Sequence, residues 1–90
     1  MNETAILSHL EALAHMLDID VRYERLEADS AFASGGLCRL RDRRIIIVNE
    51  SAANKEKIRT LAGALRRFDL RGIYLKPALR DLLEGPQQDE

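Results

Sequence analysis

Two histidines, His9 and His15, one cysteine, Cys38, and the stretch Ser34-Gly35-Gly36 are the residues from which this chain would have to build a conventional site. The histidines stand six positions apart on one predicted helix. Side chains that act together on a helix are three or four apart, so this pair turns to different faces and does not form a metal site. Cys38 falls in a predicted strand beside Leu37 and Leu40, where a lone cysteine behaves as a small hydrophobe. A catalytic thiolate would need an activating histidine close in space. Ser34-Gly35-Gly36 is too short for a phosphate-binding loop, and no Gly-Lys-Ser/Thr follows it. Asp18 and Asp20 read as the stop of a helix rather than as an acid and base pair. The expectation is a non-enzymatic protein with no catalytic residue, no metal and no cofactor. An unrecognised small hydrolase is the competing enzyme reading, and it would need a pocket with convergent polar groups.

The arginines carry a stronger signal. Residues 39–80 hold twelve basic and four acidic side chains, whereas residues 1–38 hold seven acidic and two basic, and residues 81–90 hold four acidic and no basic ones. The net charge of −1 therefore hides a basic middle flanked by acid. Alternation along a strand predicts that Arg39 and Arg41 share one face, with Arg43 and Arg44 at the following turn. Together with Arg67 these are the candidate contacts for nucleic acid or another polyanion. Phe68 and Tyr74 are the only aromatic residues of that segment, and both are expected in the core. That leaves no platform on which single-stranded bases would stack. No helix-turn-helix pattern is evident. The alternative is a solvated face paired with the acidic flanks.

Ninety residues allow a single domain, which is placed at residues 1–84, with a disordered tail at 85–90. Hydrophobic residues at 46% and charged residues at 32% suit a folded rather than a disordered chain. A core of this size is marginal alone, which favours a partner or a second copy. There is no apolar run of membrane-spanning length, and Met-Asn-Glu-Thr carries neither a basic region nor a cleavage site, so no signal peptide is expected. One cysteine cannot make an internal disulfide. These features predict a cytoplasmic protein with no membrane partner.

The elements follow from periodicity. Ile6, Leu10, Leu13 and Leu17, widened by Leu7 and Ala14, predict a helix over 4–18 capped by Asn2 or Thr4. Ile19, Val21 and Tyr23 alternate with Asp20, Arg22 and Glu24, a half-buried strand over 19–26. Small and polar residues then predict a loop from Ala28 to Gly36, with Phe32 as its anchor. Residues 36–49 read as a β-hairpin, with arms Leu37 to Arg41 and Arg44 to Asn49 and a turn at Asp42-Arg43. Its second arm is apolar on both faces at Ile45, Ile46, Ile47 and Val48, so it needs cover on both sides. A second copy of the chain is one source of that cover, and these four residues are the candidate dimer interface; the first helix and the long loop are the other source. Asn49 or Ser51 is expected to cap a helix over 52–70, with Ile58, Leu61, Ala62, Leu65 and Phe68 on its stripe. Gly72 terminates it, Ile73 to Leu75 is extended, and Pro77 opens a short last helix through Leu79, Leu82 and Leu83.

Gly35-Gly36, then Ile45-Ile-Ile-Val-Asn49, then a short polar link into Arg59-Thr-Leu-Ala62 resembles the N-terminal core of the ImmA/IrrE-type zinc metallopeptidases over about residues 5–70. In that family a helix and a strand precede a Gly-containing hairpin that leads into the helix bearing H-E-x-x-H. The resemblance fails at the residues that hold and use the metal. Gly63 and Ala64 stand where the first ligand and the base would be, and Arg67 stands where the second ligand would be. The resemblance therefore implies a truncated, catalytically dead relative. The expected fold is α+β: a three-stranded antiparallel sheet packed against two main helices and a short C-terminal one. The expected function is a small protein-interaction module, a homodimer. The runner-up is a nucleic-acid-binding accessory protein using the basic segment.

Overall fold

A computed structural model describes residues 1–27 and 35–84. Its elements are α1 (Glu3–Met16), β1 (Ile19–Glu24), β2 (Gly36–Leu40), β3 (Arg43–Asn49), α2 (Asn54–Leu65) and α3 (Pro77–Glu84). The class is α+β, as the periodicity predicts. Most of the expected loop, with Phe32 and Ser34, and the expected tail lie outside the described residues.

The sheet corrects one expectation. Its order is β1-β3-β2, with β2 antiparallel to β3 but β1 parallel to it. The sheet is therefore mixed rather than antiparallel. The hairpin occupies one edge of β3, and the first strand takes the other and runs in the same direction.

The hairpin turn also sits one residue earlier than expected. Leu40 pairs with Arg43, leaving Arg41 and Asp42 as the turn residues. Arg41 carries the positive φ, +59°. Asp42 does not share it, so the turn is not the type I′ form, in which both central residues have positive φ. The shift takes Arg41 off the strand face that it was expected to share with Arg39.

Helix α1 begins at Asn2, whose side-chain oxygen accepts from the Ala5 amide at 2.8 Å. It ends where Asp18 adopts φ +62°, a left-handed residue of the kind that closes helices. Helix α2 starts later than expected. The Asn49 side chain accepts from Ser51 N, and the Ala52 amide bonds back to Asn49 O, so both candidate caps serve a turn ahead of the helix. Ala53 is the cap residue and makes no side-chain cap bond. The helix also ends earlier, at Leu65. Arg67 N and Phe68 N bond three residues back, the tighter winding that commonly closes a helix.

One core joins these elements. Leu10, Ile46, Val48, Leu61 and Leu65 are its fully buried larger side chains. Ile19 from β1 and Leu70, Leu75, Leu79 and Leu83 from the C-terminal part complete it. Arg66 locks the last helix on: its guanidinium donates to the Leu82 carbonyl at 2.6 Å, at a helix end that has no internal donor left to offer. Tyr74, expected in the core, is 80% exposed. Leu75 turns inward in its place, and Phe68 only packs against the margin. No helix among the described residues is long and apolar enough to cross a membrane.

Leu61 and Leu65 have no solvent exposure. Leu61→Ala and Leu65→Ala should each lower unfolding stability by about 2–5 kcal/mol in urea titration. Unchanged midpoints would remove that stripe from the core.

Candidate interaction surface

The parity of the ladder decides which side chains meet. Glu50 N donates to Glu24 O at 2.9 Å. In a parallel pair this sets Asp20, Arg22 and Glu24 as the β1 residues whose amides and carbonyls turn to β3. Ile19, Val21 and Tyr23 turn theirs to the outer edge. The side chains of Ile19, Val21, Leu37, Arg39, Arg44, Ile46 and Val48 share the face that carries the core, because paired residues project to the same side. Asp20, Arg22, Cys38, Leu40, Arg43, Ile45 and Ile47 project from the other face.

The candidate arginines are therefore divided. Arg39 lies directly opposite Arg44. Theirs is a non-hydrogen-bonded pair, the kind in which side chains approach more closely. Arg44 rests its guanidinium 5.0 Å from the centre of the Phe68 ring, and Arg67 is the residue before Phe68. Arg39, Arg44 and Arg67 are all exposed, and among the described residues none of them forms an ion pair with a carboxylate. Arg41 stands apart at the turn. Arg43 is on the opposite face and is engaged: it holds Asp20 through two hydrogen bonds of 2.8 and 2.9 Å. That partner raises its pKa through the hydrogen bonds first and the carboxylate charge second.

The candidate dimer interface is divided in the same way. Ile46 and Val48 have no exposure and sit in the chain's own core, so they are not available to a second copy. Ile45, at 6% exposure, and the half-buried Ile47 belong to the other face, near the half-buried Cys38 and the exposed Leu40. Strand β3 is also paired on both edges, which excludes edge-to-edge association through it.

Thr60, Gly63, Ala64 and Arg67 lie along one side of α2 and its closing turn. They form a shallow groove of about 230 Å³ with Gly35 and Leu37. Gly63, Ala64 and Arg67, the positions compared with the metallopeptidase motif, therefore all line this groove, with Ala64 the most buried of them. Gly35 is required here. With φ +80° it brings its backbone so close to β3 that an added Cβ would stand 2.3 Å from Ile47 O. Gly63 has no such neighbour within 4 Å.

A wider groove, about 670 Å³, runs from α1 over β1 to β3 and β2. Glu11 and His15 of α1, Val21 and Arg22 of β1, Arg43 of β3 and Leu40 of β2 are among the residues that line it. Tyr23 lies near the end of β1. Its hydroxyl donates to Glu11, and Lys57 lies 5.8 Å from its ring centre. Burial first, then the bond and charge of Glu11, raise the phenol's pKa above its ordinary value. Sequence reasoning took β1 as a half-buried strand and missed it as an edge. The signal that points to it is the opposite charges at Asp20 and Arg22, flanking Val21.

Comparison of the chain with protein-family models, curated proteins and solved structures gives no significant match. Among the described residues no group of three or more His, Cys, Asp or Glu side chains is placed to hold a metal ion.

Gly63→Ala should raise stability by about 0.5–1 kcal/mol, the ordinary gain for a helix-interior glycine with open space around it. A loss in thermal unfolding would show that the groove needs the bare backbone.

Proposed function

We propose that the chain is a non-enzymatic interaction module of the cytoplasm that works as a homodimer. The observation that supports this is the outer edge of β1. It is six residues long, has no strand beside it among the described residues, and borders the wider groove. Such an edge offers a row of amides and carbonyls to any extended segment that reaches it, which makes it a natural pairing surface. The reading keeps the ImmA/IrrE resemblance as a dead core, with Gly63, Ala64 and Arg67 in place of its metal-site residues. Solution mass by light scattering should be twice that of the chain at both low and high salt. A monomer at both, at hundreds of micromolar, would reject the homodimer.

A second reading rests on Arg39 and Arg44. Two like charges directly opposed on a sheet are unfavourable unless something of opposite sign lies over them. A polyanion could do this, with Arg67 beside them and Arg41 at the turn. In this reading nucleic acid binds with an affinity that falls steeply with salt, and Arg39→Ser and Arg44→Ser each lower the slope of log K against log salt by about one. Binding that ignores salt, or survives both changes, would reject it.

A further inference from the structure

The outer edge of β1 carries a pattern that is complementary to itself. Antiparallel pairing of this edge with a second strand must match outward residues with outward residues. Those are Ile19, Val21 and Tyr23, so only alternate registers of self-pairing are open. Three registers keep most of the strand engaged. A two-fold axis at Asp20 places two carboxylates opposite each other. An axis at Arg22 does the same with two guanidiniums. An axis at Val21 places Asp20 of one copy opposite Arg22 of the other, twice by symmetry. The same axis sets Ile19 opposite Tyr23, an aromatic against a β-branched residue, on the helix-bearing face.

We propose that two copies of this chain join edge to edge through β1, antiparallel about a two-fold axis at Val21, to form one continuous six-stranded sheet. This rests on the reading of the chain as a homodimeric module and names the surface that makes the dimer.

The same axis sets Glu24 opposite Asp18 of the second copy, a like pair at the end of the ladder just outside β1, and the other charges around the axis offset it. Asp20 is already held by Arg43 on its inner side, and Arg22 lies 3.4 Å from Glu24. Pairing therefore lines up Arg43, Asp20, then Arg22 and Glu24 of the second copy, alternating in sign on the face away from the helices. The flanking surface of α1 permits the approach. Ser8 and Ala12 are exposed on the helical stripe that includes Glu11 and His15, and both are small. The opposite edge of the sheet is a poorer candidate. Strand β2 is one residue shorter than β1, begins at a glycine with φ +144°, and carries Arg39 with no acidic counterpart in its own sequence.

The test is charge reversal with complementation. The Asp20 and Arg22 side chains are 43% and 55% exposed, so reversal leaves the core untouched. Asp20→Lys alone and Arg22→Glu alone each turn two attractive pairs into two repulsive ones. Each should weaken self-association by roughly tenfold to a hundredfold, read by sedimentation equilibrium. An equal mixture of the two variants restores both pairs and should dimerise as well as the unaltered chain. Val21→Pro gives an independent check. The Val21 amide points outward, so proline deletes bonds to the second copy and none to β3, and the variant should be a folded monomer by circular dichroism and mass. A dimer that persists through the single reversals and Val21→Pro would overturn the β1 surface while leaving a homodimer by another route. Two monomeric variants that fail to associate on mixing would overturn the register. An unaltered chain that is monomeric throughout would overturn this proposal and the homodimer reading together.

Discussion

Strand β3 is the constraint on which the rest of this small structure depends. Among the described residues it is the one strand with neighbours on both edges, and its Ile46 and Val48 lie at the centre of the core. Fixing those two side chains inward fixes every other face by alternation. Arg44 must then share the core face, where Phe68 receives it, and Arg43 must turn away, where Asp20 receives it. A slip of one residue would put Ile45 and Ile47 against the helices with Arg43 in place of Arg44, an equivalent set, so β3's own pattern leaves the register open and the alternation of β1, with Ile19 and Val21 inward and Asp20 and Arg22 outward, sets it. Gly35 belongs to the same constraint. The chain enters β2 so close to Ile47 O that no side chain fits, and Gly35 is thus a consequence of where β3 lies.

Much of this was legible in the sequence because it is local. The α1 stripe, the capping by Asn2, the hairpin, Pro77 at the start of α3 and the buried Leu61-Leu65 stripe all follow from spacing and residue type. What failed was non-local or depended on one residue of register. Nothing within β1 says which neighbour it will choose, and its parallel pairing with β3 comes from the order in which the sheet is filled. The turn slipped because aspartate is a better left-handed residue than arginine, yet pairing of Leu40 with Arg43 places Arg41 there. Tyr74 and Leu75 are adjacent and apolar, and only the path of the chain after Gly72 decides that Leu75 is the one buried. The candidate arginines were read as one patch because charge density is visible in a sequence and facing is not.

The uneven charge is only slightly neutralised across the fold. Between the acidic first 38 residues and the basic middle, the described residues form one ion pair, Arg43 with Asp20. The other pairs with a basic partner in the middle segment, Arg59 with Glu56, Arg71 with Asp69 and Arg80 with Glu84, lie within four residues in sequence. These exposed local pairs contribute little to stability. The division therefore persists in three dimensions. Arg39, Arg44 and Arg67 remain exposed at the hairpin and the end of α2, while β1 carries its two signs in alternation.

That difference separates the two surfaces by what each could recognise. A run of like charge attracts any polyanion and carries little information about register or shape. An alternation of sign along a strand edge discriminates strongly, because moving the partner by two residues turns attraction into repulsion. Surface pairs add little binding energy in either case. The energy of an edge-to-edge dimer comes from completing the backbone ladder and covering apolar surface beside it. The charges of Asp20 and Arg22 do something separate: of the three registers that keep most of β1 engaged, they favour the one centred at Val21. An edge strand that must not pair is usually short, bulged or charged in one sign. Strand β1 is regular, six residues long and carries opposite charges on either side of Val21, an arrangement that suits an edge that pairs with itself.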